Sequence, residues 1–426
     1  MDETTAHRTK LPNGLTVIAA PLPHVHRAVI DLHVRVGPLF EDKATSGLSH
    51  LLEHMLHRGI PGYPSAHTQA LAFEALGAAF SAVTYVDHGI LSCSLPPENF
   101  ELGLALFASV VHEPLFGELE LEKGIIREEI LEALDEDGEL VDIDCLVRRL
   151  AFGEHPLGLP ITGTLDTLQS FDLESVRTHH LGHYAAGSMV LTLSGAIDSE
   201  RAIEAVSQRL SSVAQGTLPA APPTPSQFEA RFQYAATPTS QTAMRLAFRA
   251  PGEHDADEPA TEMLVRILDD GMSTRLYRRL CDERGLCYDV SATYEAYADV
   301  GLFDLGAESA HEKSAVVLEQ LLTTLRELKD DGPTEAELDK ARSRIGWQLS
   351  EMLDDPSEFA AFHGLGALGG YGKSPEERRV ELADVSRERV QAVAQRIFRP
   401  EAASLVVLGR ATRRSQDALR RRLMSL

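Results

Sequence analysis

Residues 45–59 run Thr45-Ser46-Gly47-Leu48-Ser49-His50-Leu51-Leu52-Glu53-His54-Met55-Leu56-His57-Arg58-Gly59. This string is predicted to be a complete helix, with Thr45 or Ser46 as N-cap and Gly59 followed by Pro61 at its stop. With His50 placed at zero and about 100° per residue, Glu53 falls at about 300° and His54 at about 40°, so the three share one face. Leu48, Leu51, Leu52, Met55 and Leu56 occupy roughly 100° to 240° on the opposite side. The helix is expected to bury its apolar side and to present imidazole, carboxylate and imidazole together.

Two histidines at i and i+4 can close on one zinc ion, and a carboxylate one residue before the second can reach water at the metal. The string is of the form H-x-x-E-H. His57 points the same way, but it lies about 10.5 Å along the axis from His50. That is too far for both to hold one ion, so His57 is read as a pocket-edge side chain.

A second helix is predicted over 118–134. With Glu129 at zero, Glu122 falls at about 20°, among Leu121, Ile125, Ile126, Ile130 and Leu134. Carboxylates in an apolar stripe need a metal, a proton or a cationic partner. Glu128 belongs to the polar arc with Asp135, so Glu129 is the better ligand and Glu122 the better support for a ligand. The plain alternative for Glu122 is a buried partner of an arginine such as Arg127 or Arg148.

Beyond these helices the chain repeats itself at an offset of 214 residues. Val176 meets Val390, Gly195 meets Gly409, and the alternating run Ala28–Val36 overlays Thr242–Ala250. Glu120-Leu121-Glu122-Lys123 resembles Glu337-Leu338-Asp339-Lys340. Between the halves, residues 216–226 carry four prolines, which favour an extended spacer. Domains are therefore expected at 1–216 and 229–426 with a Pro-rich linker at 217–228. Apolar and alternating runs among helical stretches, without regular strand–helix alternation, predict an α+β fold: two duplicated domains, each a mostly antiparallel sheet packed with helices. At the same offset His50, Glu53 and His54 become Leu264, Ile267 and Leu268, so the metal site is expected in the first half alone.

With 64 acidic against 40 basic residues the formal charge is −24, which excludes a free-standing nucleic-acid binder and suits cationic partners. An apolar run long enough to span a bilayer is missing, and the N-terminus is acidic and polar, so a cytoplasmic protein with no membrane partner is expected. The cysteines, Cys93, Cys145, Cys281 and Cys287, form no C-x-x-C pair and read as idle thiols of a reducing compartment. Gly364-Leu365-Gly366-Ala367-Leu368-Gly369 matches G-x-G-x-x-G by letter, but it follows a helical stretch and is read as a flexible loop. Asp269-Asp270-Gly271 lacks the spaced ligands of a calcium loop.

Taken together, the chain resembles the pitrilysin/insulysin-type zinc metallopeptidases, and most closely their short-chain branch, which includes the mitochondrial processing peptidase. Leu11-Pro12-Asn13-Gly14-Leu15 is similar to that family's opening strand, residues 47–56 to its metal helix and residues 122–130 to its downstream motif. Residues 271–276 and 284–288 are similar to its substrate-holding helix and turn. The resemblance implies one zinc per chain held by His50, His54 and Glu129, Glu53 as general base, Glu122 as a supporting residue and Tyr288 as a hydrogen-bond donor to substrate. It also implies half of a clam-shell chamber, in which a peptide adds a strand at Ser81 and Ala82. Two positions depart from the family: Ser81 replaces its asparagine, and Cys281 its arginine seven residues before the tyrosine, for which Arg278 is the substitute one turn earlier. The expected function is zinc metalloendopeptidase, acting on peptides or unfolded segments as a homodimer or heterodimer. The alternative is a zinc-bearing or non-catalytic subunit of a heterodimer that needs a partner chain to bind substrate.

Overall fold

The structure, a computed structural model, describes residues 6–227 and 229–425. Its strands are β1 (His7–Lys10), β2 (Thr16–Pro21), β3 (Ala28–Val34), β4 (Ala79–Thr84), β5 (Gly89–Leu95), β6 (Met189–Gly195), β7 (Arg231–Ala236), β8 (Thr242–Ala250), β9 (Cys287–Ala296), β10 (Gly301–Ser309) and β11 (Ala403–Gly409). They form a six-stranded sheet in the order β1-β2-β6-β3-β5-β4 and a five-stranded sheet in the order β7-β11-β8-β10-β9. Without β1 the two orders are the same topology, and the 214-residue offset carries β3 onto the start of β8 and β6 onto β11. Each sheet has one parallel pair, β2 with β6 and β7 with β11, and antiparallel neighbours otherwise. The α+β duplication expected from the sequence is therefore present. Among the described residues, no helix is long and apolar enough to cross a membrane.

The compact units do not follow the linear limits 1–216 and 229–426. One unit comprises the described residues up to Glu132, Leu159–Pro222 and Leu349–Ser374, and the other Ala133–Gly158, Pro223–Gln348 and the described residues from Pro375 onward. Each half thus gives one helix to the other half's sheet. In the first unit β3 and β6 are buried along their whole length, because helices cover both faces. Helix Pro356–Gly369, from the C-terminal half, supplies one of those covers: Leu368 joins Ile18 and Val190, and Phe359 joins Ala20 and Leu22. Burying a side chain such as Phe359 is worth about 1.5–3 kcal/mol. In the second unit, helix Ile143–Phe152 lies on β8 and β11. Arg231 and Arg249 donate to its last carbonyls, at Leu150 and Ala151, at 2.7 and 2.9 Å, satisfying groups that the helix end leaves open.

The glycine string at 364–369 is not a loop but the end of helix Pro356–Gly369. The reason is close approach: a Cβ on Gly364 would lie 2.1 Å from the His33 ring beneath it on β3. Asp31, two residues earlier on the same face, accepts a hydrogen bond from Ser92 Oγ at 2.6 Å. Burial raises its pKa to about 7, against the pull of Ser92 and Arg27.

Gly364→Ala is expected to cost about 1–3 kcal/mol in urea unfolding by forcing the helix off the sheet. Asp31 gives a pH test. Its folded pKa of about 7 lies above the unfolded 3.8, so the folded state holds a proton that the unfolded chain has already released. Stability is expected to fall as pH rises through that window and to level off above it. Asp31→Asn should flatten the curve and, above about pH 7, exceed wild-type stability by up to roughly 4 kcal/mol.

Candidate metal centre

The metal-site helix spans Leu48–Met55 and buries Leu48, Leu51, Leu52 and Met55, the side expected to pack. Its start differs from the sequence expectation. Gly47 is the N-cap, at φ 91°, and makes no side-chain cap. The buried Glu41 carboxylate caps the helix instead, accepting from the Gly47 and Ser49 amides at 2.9 and 2.7 Å. Burial pushes the Glu41 pKa up to about 7, and the Ser49 and Gly47 hydrogen bonds oppose it. Thr45 belongs to a preceding turn around Asp42. Ser49 Oγ accepts from the Gly37 amide and lies 2.9 Å from His179 Nε2, so the helix is pinned from two sides.

The donor atoms of His50, Glu53 and His54 lie within 4.8 Å of one another. Helix Leu119–Glu132 brings the rest. Glu129 Oε2 lies 3.6 Å from His50 Nε2 and 3.8 Å from His54 Nε2, while Glu122 Oε2 lies 2.9 Å from His54 Nδ1. His54 thus spends Nδ1 on Glu122 and turns Nε2 toward Glu129. Burial and the neighbouring His54 push the His50 pKa down to about 4, which keeps its imidazole neutral, the form that binds metal. Donors around a tetrahedral zinc, with bonds of about 2.0–2.1 Å, stand roughly 3.3 Å apart. Two nitrogens and one carboxylate oxygen at 3.6 and 3.8 Å fit such an ion with a small inward movement.

The partner of Glu122 is neither Arg127 nor Arg148. Arg58 donates to Glu122 Oε1 and to Glu118 at 3.1 Å. Burial alone would raise the Glu122 pKa, but the bonds from His54 and Arg58 hold it below the usual carboxylate value. The stripe on this helix is also narrower than expected. Ile126 and Ile130 are buried, Leu121 and Ile125 are exposed, and Glu129 is 43% exposed. The core contacts one flank of the helix, on which Glu122 is buried with Ile126 and Ile130, while Glu129 stands at its margin.

Glu53 Oε2 accepts from Thr84 Oγ1 at 2.5 Å. Burial raises the Glu53 pKa, with Thr84 acting in the other direction. Thr84 closes β4, the edge strand that carries Ser81 and Ala82; Ser81 is exposed and Ala82 half-buried. His57 packs its ring 4.9 Å from Phe80 at the rim of a pocket of about 420 Å³ that Phe73 and Gln69 also line. Tyr288 and Arg278 belong to the other unit; Tyr288 is 92% exposed, and Arg278 pairs with Glu283 at 2.7 Å. In that unit Leu264, Ile267 and Leu268 are buried in helix Glu258–Leu268, so core replaces the polar triplet at the three equivalent positions.

Three functional neighbours escaped the sequence reading: Glu41, Arg58 and Thr84. Arg58 had a local signal, one turn after His54 beside the same face. Glu41 and Thr84 act across loops and strands, where no fixed spacing marks them.

Two family models match the chain: Insulinase (Peptidase family M16) over residues 16–165, and Peptidase M16 inactive domain over residues 170–345. A Mycobacterium tuberculosis protein named an uncharacterized zinc protease is 30% identical, over 92% of this chain and 90% of its own length. One of the same description from Rickettsia bellii is 28% identical, over 94% of this chain and 96% of its own. The crystal structure of a protease from Helicobacter pylori shares the fold, with a TM-score of 0.88 at 21% identity, covering 96% of this chain and all of that one.

Glu122→Gln removes the acceptor charge that His54 and Arg58 share. Zinc affinity, measured by competition with a chelating dye, is expected to fall about 10–100-fold.

Proposed function

We propose that this chain, which belongs to the M16 family of insulinase-type peptidases, is a zinc metalloendopeptidase cutting peptides or unfolded segments inside a closed chamber. The convergence of His50, His54 and Glu129 beside the half-buried Glu53 carries this reading. Those three residues would hold one zinc per chain, whose Lewis acidity polarises the scissile carbonyl and eases deprotonation of water. Glu53 accepts the proton of the attacking water and delivers it to the leaving amine nitrogen. Thr84 fixes Glu53 Oε2, leaving Oε1 for the proton. Glu122 holds the His54 tautomer whose Nε2 faces the site.

In this reading the substrate adds as a strand along β4 through the backbone at Ser81 and Ala82. The strand's far side is already paired to β5 and its end touches Glu53 through Thr84, so an added strand is guided to the base. Tyr288 donates a hydrogen bond to substrate, and Arg278 stands in for the family's arginine once released from Glu283. Cationic peptides suit the net charge of −24, and the working form is a homodimer or a heterodimer. Cys281, at the arginine's position, favours a second reading in which the chain is the zinc-bearing or non-catalytic subunit of a heterodimer.

The test is cleavage of a mixed peptide pool by the purified chain, read by mass spectrometry beside Glu53→Gln. The variant is expected to bind zinc stoichiometrically and to lose cleavage by about 10²-fold or more; chelation should stop the wild type and added zinc restore it. Zinc-loaded wild type that makes no cuts alone would favour the subunit reading.

A further inference from the structure

Cys281 and Cys287, read from the sequence as idle thiols, face each other in the fold. Cys281 sits in the π-helix Tyr277–Asp282 and Cys287 opens β9. The turn between them brings their sulfurs to 3.8 Å, although both cysteines are free. That turn is compact: the Gly285 amide donates to Cys281 O at 3.0 Å, and the Leu286 amide to Leu280 O at 2.8 Å. The β9–β10 register shifts beside Cys287, so the strand end can give without breaking the regular ladder. A disulfide needs its sulfurs at about 2 Å, a closure that two χ1 rotations and this turn can supply.

Both residues are half-buried rather than sealed. Cys93 is fully buried in the other unit, and Cys145 has Arg148 as its neighbour. Among the described residues no third His, Cys or carboxylate donor closes in tightly enough to make the pair a metal site. What remains is a dithiol in contact.

We propose that Cys281 and Cys287 form a reversible intramolecular disulfide, with a low-molecular-weight disulfide of the glutathione class as oxidant. The Cys281 sulfur attacks the small disulfide and expels one small thiol. The Cys287 sulfur then attacks Cys281 and expels the other. Two electrons leave the protein, and the two thiol protons end on the two small thiols. The order follows from the environment. Burial raises both thiols, Cys287 to about 12, while the hydrogen bond from Cys287 works against burial at Cys281. Cys281 therefore ionises first and Cys287 resolves. The bridge ties the π-helix to the residue before Tyr288, and so stiffens the substrate-gripping turn; that consequence rests on the function proposed above.

The test needs no activity. The full chain is equilibrated with oxidised glutathione, blocked with iodoacetamide and digested with trypsin. Cleavage at Arg284, between the two cysteines, places them on separate peptides, Leu280–Arg284 and Gly285–Lys313. The expected result is loss of two of the four thiols, a disulfide-linked pair of those peptides, recovery with dithiothreitol, and slower amide exchange across residues 282–288. Cys287→Ser should instead stop at a glutathione adduct on Cys281. Four surviving thiols, a bridge elsewhere, or wild-type chain that keeps glutathione on Cys281 with Cys287 free would each overturn the proposal.

Discussion

The buried carboxylate of Glu122 is the constraint on which the candidate metal centre depends. An anion taken out of water costs several kcal/mol unless it is fully paired. Here the pairing comes from the other helix, through His54 on one oxygen and Arg58 on the other. Helix Leu119–Glu132 therefore cannot slide or rotate against Leu48–Met55 without exposing that cost. Glu129 is two turns from Glu122 on almost the same face, so its depth and direction are set by the same lock. Glu122 thereby decides where Glu129, the outermost candidate ligand, stands.

Comparing the two units isolates what makes a metal site out of this fold. The sheets share a strand order, and helix Leu48–Met55 has its counterpart in Glu258–Leu268. With Leu264, Ile267 and Leu268 in place of His50, Glu53 and His54, the counterpart turns that face into core. The scaffold accepts either chemistry, because the neighbouring apolar stripe anchors the helix in both cases.

Local periodicity made much of this legible. His50, Glu53 and His54 announce themselves by spacing, Glu122 and Glu129 by carboxylates beside an apolar stripe, and the duplication by its offset. The missing parts share one physical feature, dependence on contacts far away in the chain. Glu41 caps a helix from a preceding loop, Thr84 reaches Glu53 from an edge strand, and Gly364 is glycine because of His33, 331 residues earlier. The narrow buried flank of helix Leu119–Glu132 was hidden for the same reason, since sequence shows which residues are apolar but not how wide a neighbour lies against them. The two cysteines six apart carry no spacing rule; a compact turn after the π-helix joins them.

The exchanged helices also bear on how the chain is made. The last strand of the first sheet is complete once Gly195 has been synthesised, but one face of that sheet waits for Pro356–Gly369. During vectorial synthesis, Ile18, Ala20, Leu22 and Val190 stay uncovered while about 160 further residues are added. The N-terminal half is therefore not a self-contained folding module. It emerges early as a sheet with an open apolar flank, exposed to chaperones and to unwanted association, and is finished late by a segment from the far side of the linker.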